Sequence, residues 1–211
     1  MNDFIIGTCV GMIQTIVGHP LDTMKTNYQN NIKKIKLRNI YNGLRYPMIS
    51  SVFVNGILFH SHGKLDSYFN NSYESGFVTG FICSPIINMF EVSKVQLQID
   101  KTAKLNINNL SLGLNATILR ESIGTSLYFG TYFALKEHKI NPFICGGIAG
   151  AFSWLVTYPI DVIKTRIQSK NYTSYSSAFK RGNLSSGLSI CILRSIIVNG
   201  ISFGVFDYLK N

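Results

Sequence analysis

The sequence is poor in charged residues and in cysteine. Aspartate, glutamate, lysine and arginine make up 14% of the 211 residues, whereas 46% are hydrophobic, a low charge content for a soluble protein. The four cysteines stand singly, and the lack of a C-x-x-C pair argues against a zinc or dithiol site. Nucleotide-binding loops, metal-ligand clusters and nucleophile triads are also lacking. These absences favour a membrane protein that is not an enzyme and needs no cofactor or metal.

Apolar segments of helical length are present instead. No uninterrupted apolar run reaches 18 residues, yet six segments of roughly 20 residues are apolar with scattered Gly, Ser, Thr and Asn. Each such helix would have a lipid face and a face toward a polar interior. The predicted fold class is therefore an all-α membrane protein with six transmembrane helices. The segments are 4–28, 46–66, 73–98, 114–136, 142–168 and 188–209.

The net charge of +10 does not form the basic stripe of a nucleic-acid-binding face, so we expect no nucleic-acid partner. Lysines and arginines instead concentrate in the connections after the first, third and fifth segments. The positive-inside rule therefore predicts that these three connections lie on one side of the membrane and both termini on the other.

The chain repeats itself three times with a period of about 70 residues. We divide a single domain, 1–211, into repeats 1–69, 70–139 and 140–211. A GxxxG pair near the start of each odd-numbered segment allows helices to pack closely in lipid. The pairs are Gly7 and Gly11, Gly76 and Gly80, and Gly146 and Gly150.

Three further columns recur at constant spacing after each glycine pair. An acid stands fifteen residues after the first glycine, a lysine follows three residues later, and a glutamine four residues after that. The acids are Asp22, Glu91 and Asp161, the lysines are Lys25, Lys94 and Lys164, and the glutamines are Gln29, Gln98 and Gln168. Because the register never slips, the columns indicate threefold internal symmetry.

The even-numbered segments carry columns of their own. A glycine comes first, a polar or basic residue follows seven residues later, and a phenylalanine stands nine residues beyond that. These columns are Gly43, Gly113 and Gly187, then Ser50, Arg120 and Arg194, then Phe59, Phe129 and Phe203. All six segments thus obey one symmetry.

The motif that ends each odd-numbered segment resembles the P-x-[DE]-x-x-[KR] signature of the mitochondrial carrier family. It reads Pro20-Leu-Asp22-Thr-Met-Lys25, Met89-Phe-Glu91-Val-Ser-Lys94 and Pro159-Ile-Asp161-Val-Ile-Lys164. The resemblance covers essentially the whole chain and implies six helices around a central cavity. It also implies a monomer in the mitochondrial inner membrane that transports a small molecule by alternating access. The repeats are shorter than is usual in the family, so the surface helix of each odd connection should be abbreviated or absent.

The acid and lysine columns predict a gate. Charges at the ends of apolar helices are costly unless they are paired. Threefold symmetry lets the acid of one repeat reach the lysine of the next, which closes a ring of three salt bridges that substrate binding would open. By the family resemblance, the three glutamines would brace this ring. The alternative is a set of static pairs that merely hold the helix ends together.

The resemblance implies a second gate of the form [FY]-[DE]-x-x-[KR] at the other membrane face. The complete motif is Phe206-Asp207-Tyr-Leu-Lys210. Repeat two has Lys136 without the acid and repeat one has Asp66 where the base belongs, so an Asp66–Lys136 pair is one option. A weak gate here favours uniport or fast cycling over strict exchange, although antiport is what the family resemblance implies.

Three charged residues mark a candidate substrate site. Arg120, Glu121 and Arg194 fall in mid-helix, where a charge facing lipid is nearly excluded, so they should face the cavity. Arginine can bind a carboxylate or phosphate with two parallel hydrogen bonds, and Glu121 could bind an ammonium group. Neutral contacts are expected from Ser50, Asn55 and Asn199. In the alternative interpretation, Arg120 and Glu121 neutralise each other structurally.

An arginine followed by an acid on the fourth segment resembles the pattern of amino-acid and carnitine-type carriers. We therefore predict transport of an amino-acid-like or carnitine-like zwitterion. One open alternative is a nucleotide carrier that uses Arg120 and Arg194. The other is a degenerate carrier-like membrane protein without transport activity.

Overall fold

The computed structural model describes residues 3–29, 41, 44–99, 111–168, 174–185 and 187–210, and within these ranges it contains helices and turns but no strand. The helices are α1 (Asp3–Gln29), α2 (Arg45–Phe69), α3 (Ser72–Ile99), α4 (Leu114–Glu137), α5 (Pro142–Gln168), α6 (Tyr175–Lys180) and α7 (Leu188–Lys210). The predicted all-α fold class is confirmed. The six long helices agree with the six apolar segments to within three residues at each end.

The six long helices form a closed ring. Within each repeat two helices pack as a hairpin, α1 with α2, α3 with α4 and α5 with α7. Neighbouring hairpins meet through α2 and α3, α4 and α5, and α1 and α7. The carboxyl ends of α1, α3 and α5 therefore lie at the same end of the ring as the amino ends of α2, α4 and α7.

The GxxxG pairs lie where the two helices of a hairpin touch. A Cβ added at Gly7 would lie 2.6 Å from the Asn55 carbonyl oxygen, and one at Gly146 would lie 2.5 Å from that of Asn199. Gly76 approaches α4 in the same way. Since no real Cβ tolerates such distances, glycine is required at this interface in all three hairpins.

The glycine column of the even-numbered segments has a backbone cause. Gly113 and Gly187 adopt φ angles of +73° and +86° just before α4 and α7 begin. Other residue types are strained in this left-handed region. Glycine therefore sets the angle at which the chain turns into each of these helices, whereas Gly43 lies outside the described residues.

Four of the described helices are long and apolar enough to cross a membrane by length and composition. The spans are Phe4–Leu21, Ser72–Ser93, Pro142–Gln168 and Cys191–Lys210. Helices α2 and α4 have 25 and 24 residues, which is sufficient length, but they are richer in polar side chains and fall short in composition. The prediction of six membrane spans thus rests, for α2 and α4, on their length and their place in the ring.

A short helix, α6, follows α5 in the third repeat. Arg166 of α5 donates hydrogen bonds to the carbonyl oxygens of Ala178 at 2.7 Å and Gly182 at 2.9 Å. These bonds hold α6 and the turn after it against the end of α5. The six residues of α6 fit the expectation of an abbreviated surface helix; the matching connections of the first two repeats, 30–40 and 100–110, lie outside the described residues.

Candidate substrate site and gates

Five ionisable side chains meet where α3, α4 and α5 converge; we call them the central cluster. Its members are Glu91, Arg120, Glu121, Asp161 and Lys164. Arg120 Nη2 contacts the Glu121 carboxylate and lies 3.6 Å from Glu91 Oε1, and its Nε lies 3.5 Å from Asp161 Oδ1. Lys164 Nζ lies 2.5 Å from Glu91 Oε2 and 4.0 Å from Asp161 Oδ1. With all five ionised, three carboxylates face two cations, which leaves one negative charge in excess.

The members of the central cluster differ in burial. The side chain of Lys164 is 2% exposed and that of Glu121 is 8% exposed, whereas Glu91 keeps 30% and Asp161 keeps 25%. Charges removed from water are stable when they remain paired. The two more exposed carboxylates are therefore the side of the cluster that another cation could reach.

The Glu91–Lys164 contact joins the acid of the second repeat to the lysine of the third, which is the pairing that threefold symmetry predicts. Its role as a gate stays a prediction. The other described member of the acid column, Asp161, contacts Arg120 and its own repeat's lysine. The remaining members of the predicted ring and brace have side chains outside the described part of the chain: Asp22, Lys25, Lys94, Gln29 and Gln98.

Gln168 takes part in a buried hydrogen-bond bridge. Its Nε2 donates to Asn88 Oδ1 at 3.1 Å, and Thr117 Oγ1 donates to the same oxygen at 2.7 Å. Each of the three residues is at most 1% exposed. The bridge joins α3, α4 and α5 through Asn88, which the repeat columns did not single out although an asparagine within an apolar helix is a signal of such contacts.

Arg120 lies inside the ring, but the chain's own carboxylates surround it. The alternative of mutual neutralisation with Glu121 describes part of this arrangement, and Glu91 and Asp161 extend it. Sequence reasoning missed a further partner: the Arg120 guanidinium carbon lies 5.4 Å from the ring centroid of Trp154 on α5. To bind a substrate carboxylate with two parallel hydrogen bonds, Arg120 would have to leave these partners.

The predicted neutral contacts lie on α2 and α7. Asn199 Oδ1 accepts a hydrogen bond of 3.4 Å from Tyr128, so this side chain links α7 to α4. Asn55 Nδ2 donates to the carbonyl oxygen of Ser51 at 2.9 Å. Ser50, half-buried, directly precedes Ser51 on the same helix.

Arg194 lies on α7 beside α1. Its Nη2 is 3.1 Å from the position that a Cβ would take at Gly18. Because α1 and α7 close the ring between the first and third repeats, Arg194 lies across the ring from the contact of α3 with α4. The two arginines of one column are thus held in different surroundings.

The phenylalanine column comes together at the other end of the ring. The ring centroids of Phe59, Phe129 and Phe203 lie 5.4, 6.2 and 6.2 Å apart in edge-to-face arrangements, and each residue is at most 4% exposed. Nine residues of helix separate Arg120 from Phe129, about 13 Å along α4. These three residues, which we call the aromatic triangle, close the ring across its pseudo-threefold axis.

An ion pair lies beyond the aromatic triangle, with partners that differ from one sequence expectation. Lys136 of α4 pairs with Asp207 of α7. Asp66, offered above as the partner of Lys136, instead accepts hydrogen bonds from Ser72 at 2.8 Å and Ser75 at 3.0 Å. The tight connection between α2 and α3 brings these two hydroxyl groups to Asp66, which accounts for the difference.

The aromatic positions of the second-gate motif are filled by different side chains. His62 stacks on Phe129 at 3.8 Å and on Phe133 at 5.6 Å, and Phe206 packs on Phe59 at 4.9 Å. Lys210 Nζ lies 5.2 Å from the Phe206 ring centroid. Stacked rings and one ion pair therefore close this end among the described residues.

Comparison with known proteins supports the family resemblance. Residues 138–211 match the family model of the mitochondrial carrier protein. The mitochondrial arginine transporter of Arabidopsis thaliana is 25% identical, with 98% of this chain and 89% of the relative aligned. The human mitochondrial basic amino acids transporter is 27% identical over 95% of this chain and 87% of its own length. The mitochondrial substrate carrier family protein S of Dictyostelium discoideum is 25% identical over 98% and 95%.

A closed ring of three helix hairpins, with paired charges inside it, defines a multi-pass membrane carrier rather than an enzyme. The chain belongs to the mitochondrial carrier family, and it is a protein of the mitochondrial inner membrane that transports a small metabolite. It is short: the alignment with the Arabidopsis relative runs over 265 positions against 211 residues here.

Proposed function

We propose that the protein transports a basic amino acid by alternating access. The observation that carries this proposal is the excess negative charge of the central cluster, where three carboxylates face two cations. A cationic substrate neutralises that excess, whereas a nucleotide would add negative charge. The names of the Arabidopsis and human relatives, which refer to arginine and to basic amino acids, agree with the same substrate class.

The substrate's charged groups would bind on two sides of the ring. Glu121, with the more exposed Glu91 and Asp161, would bind the side-chain cation. Because Arg120 is already engaged by carboxylates, we assign the substrate carboxylate to Arg194 across the ring. Neutral contacts would come from Ser50, Asn55 and Asn199.

The Glu91–Lys164 pair would be one link of a charged gate. A substrate cation that competes for Glu91 weakens the hold of Lys164, which couples binding to opening. By repeat symmetry, the remaining links would use the other acids and lysines of the columns, and the hydrogen bond of Gln168 to Asn88 would brace the closed form. The remaining links are Asp22 with Lys94 and Asp161 with Lys25.

The second gate would consist of the aromatic triangle and the Lys136–Asp207 pair, with Asp66 and Lys210 outside the pair. Opening it breaks one ion pair rather than a ring of three. We therefore expect uniport as well as exchange. The single pair resembles the weak gate that the sequence predicted.

Reconstitution into liposomes tests the proposal. Uptake of labelled arginine, lysine and ornithine would be measured with and without internal substrate, beside carnitine and ADP. Glu121→Gln should abolish uptake of the basic amino acids. Glu137→Gln, the same change at an exposed position of the same helix, should leave uptake unchanged.

The other outcomes separate the alternatives. Uptake of carnitine without basic amino acids would favour the zwitterion prediction, and uptake of ADP would overturn the cationic substrate while leaving a working carrier. A folded, inserted protein that transports none of these compounds would support the degenerate-carrier alternative. Folding would be checked by circular dichroism and thermal unfolding in detergent.

A further inference from the structure

The central cluster already holds a guanidinium group. The carboxylates of Glu91, Glu121 and Asp161 converge on Arg120, and the Trp154 ring centroid lies 5.4 Å from its guanidinium carbon. Carboxylates in its plane and an aromatic face are the two kinds of partner that a planar, delocalised cation prefers. The cluster is therefore built as a guanidinium site.

Trp154 is held in place for this role. It lies seven residues before Asp161 on α5, so the two side chains project from the same face of the helix. Its ring is half-buried and lies 6.5 Å from that of Tyr158, one turn further on. The neighbouring Ser153 donates a 2.8 Å hydrogen bond to the Gly124 carbonyl oxygen, which fixes α5 against α4 at this depth.

The charge balance shows how a second guanidinium fits. Three carboxylates and two cations leave room for one further positive charge at neutrality. Arg120 therefore need not leave the carboxylates when a cation arrives. It has to give up the aromatic face and share its acids.

We propose that Arg120 occupies the position that a substrate guanidinium takes, and that the arriving substrate displaces it from Trp154. Trp154 is then a specificity-determining residue that favours guanidinium substrates such as arginine over ammonium substrates such as lysine. A guanidinium is weakly hydrated and stacks on indole, whereas an ammonium group keeps its water more strongly. This inference rests on the proposed transport of basic amino acids and names the selectivity of that site.

Tryptophan fluorescence tests the inference directly, because Trp154 is the single tryptophan of the chain. The purified full-length protein would be titrated with arginine, with lysine, and with citrulline as the neutral isostere of arginine. We expect a saturable change in emission with arginine at concentrations roughly fivefold lower than with lysine, and none with citrulline. Arg120→Gln should lower the arginine concentration at half-maximal change, because it removes the internal competitor.

Transport selectivity supplies the second measurement. Trp154→Leu should reduce the ratio of arginine to lysine uptake roughly fivefold while lysine uptake persists, and Trp154→Phe should keep part of the preference. The matched control is Phe152→Leu, at a side chain that is 44% exposed in the apolar groove between α5 and α7. That change should leave the ratio unaltered.

Failure of the inference differs from failure of the proposed function. Arginine uptake without any change in Trp154 emission, or an unaltered uptake ratio in Trp154→Leu, would overturn the guanidinium site and leave the transporter. Emission that responds to arginine in a protein that transports nothing would retain the site and overturn the transport function. If Trp154→Leu does not insert, the Trp154→Phe ratio and the wild-type titration still decide.

Discussion

The two ends of the helix ring are closed by different physical interactions. Where α3, α4 and α5 converge, the described contacts are charge pairs around a buried lysine and a guanidinium. At the other end, three phenylalanines meet edge to face, and one ion pair lies beyond them. About 13 Å of helix separates the two closures.

This difference bears on how a carrier couples binding to movement. An ion pair in a low-dielectric interior holds its partners firmly, and breaking it requires a replacement charge. An aromatic contact requires no counter-charge when it separates. The charged end is therefore suited to sensing a substrate cation, and the aromatic end to sealing the path irrespective of the substrate.

Removal of Lys164 should have the largest effect on this comparison. Lys164→Ala leaves Glu91 and Asp161 short of a cation at a position where the lysine was 2% exposed. We expect a loss of up to about 5 kcal/mol in the free energy of unfolding and loss of basic amino-acid uptake. Thermal unfolding in detergent and liposome uptake would be measured, with Lys180→Ala on the exposed face of α6 as the control.

A charge reversal sharpens that prediction. Glu91→Lys together with Lys164→Glu restores the pair with opposite polarity, and should recover part of the lost stability relative to either single change. Wild-type stability and uptake in Lys164→Ala would mean that charge pairs do not close this end.

Phe203→Ala should have the next largest effect. Phe203 is fully buried, contacts both other members of the aromatic triangle and stacks on Tyr132 at 3.5 Å. The cavity should cost at least about 3 kcal/mol and raise the leak of preloaded arginine from proteoliposomes. Phe81→Ala, at a 56% exposed side chain of α3, should change neither; equal leak in both variants would show that the triangle is no seal.

Asn88→Ala tests the hydrogen bonds that support the charged end. It leaves the buried donors of Gln168 and Thr117 without their shared acceptor, which should cost roughly 1–3 kcal/mol. The triple variant Asn88→Ala, Gln168→Leu, Thr117→Val replaces all the polar partners and should regain much of that stability. A triple variant less stable than Asn88→Ala would disprove this account; chemical denaturation would measure both.

Lys136→Met should have the smallest effect. The Lys136 side chain is 37% exposed, and pairs this accessible contribute about 1 kcal/mol or less. Thermal unfolding and arginine leak should both stay near wild type. A substantial loss of stability would show that the aromatic end also depends on charge, and the contrast between the two ends would fail.

Much of the fold was predictable because it depends on local periodicity. Each helix follows from the spacing of apolar residues within one segment, and the register of Gly113 and Gly187 reflects a backbone angle that glycine adopts freely. The depth of Arg120 and Glu121 was also predictable, since charges at mid-helix are excluded from lipid. The short helix α6 was harder, because Arg166 holds it through backbone carbonyl groups that leave no pattern in the sequence.

The sequence by itself determined the three repeats, the helix positions, and the residue types that face the interior at each depth. Tertiary structure decided which of them touch. Repeated columns offer several equivalent partners, and a spacing rule cannot choose between Asp66 and Asp207 for Lys136, or indicate that Trp154 lies over Arg120. Those choices depend on how closely particular helices approach and turn about their axes, and these quantities emerge when all six helices pack against one another.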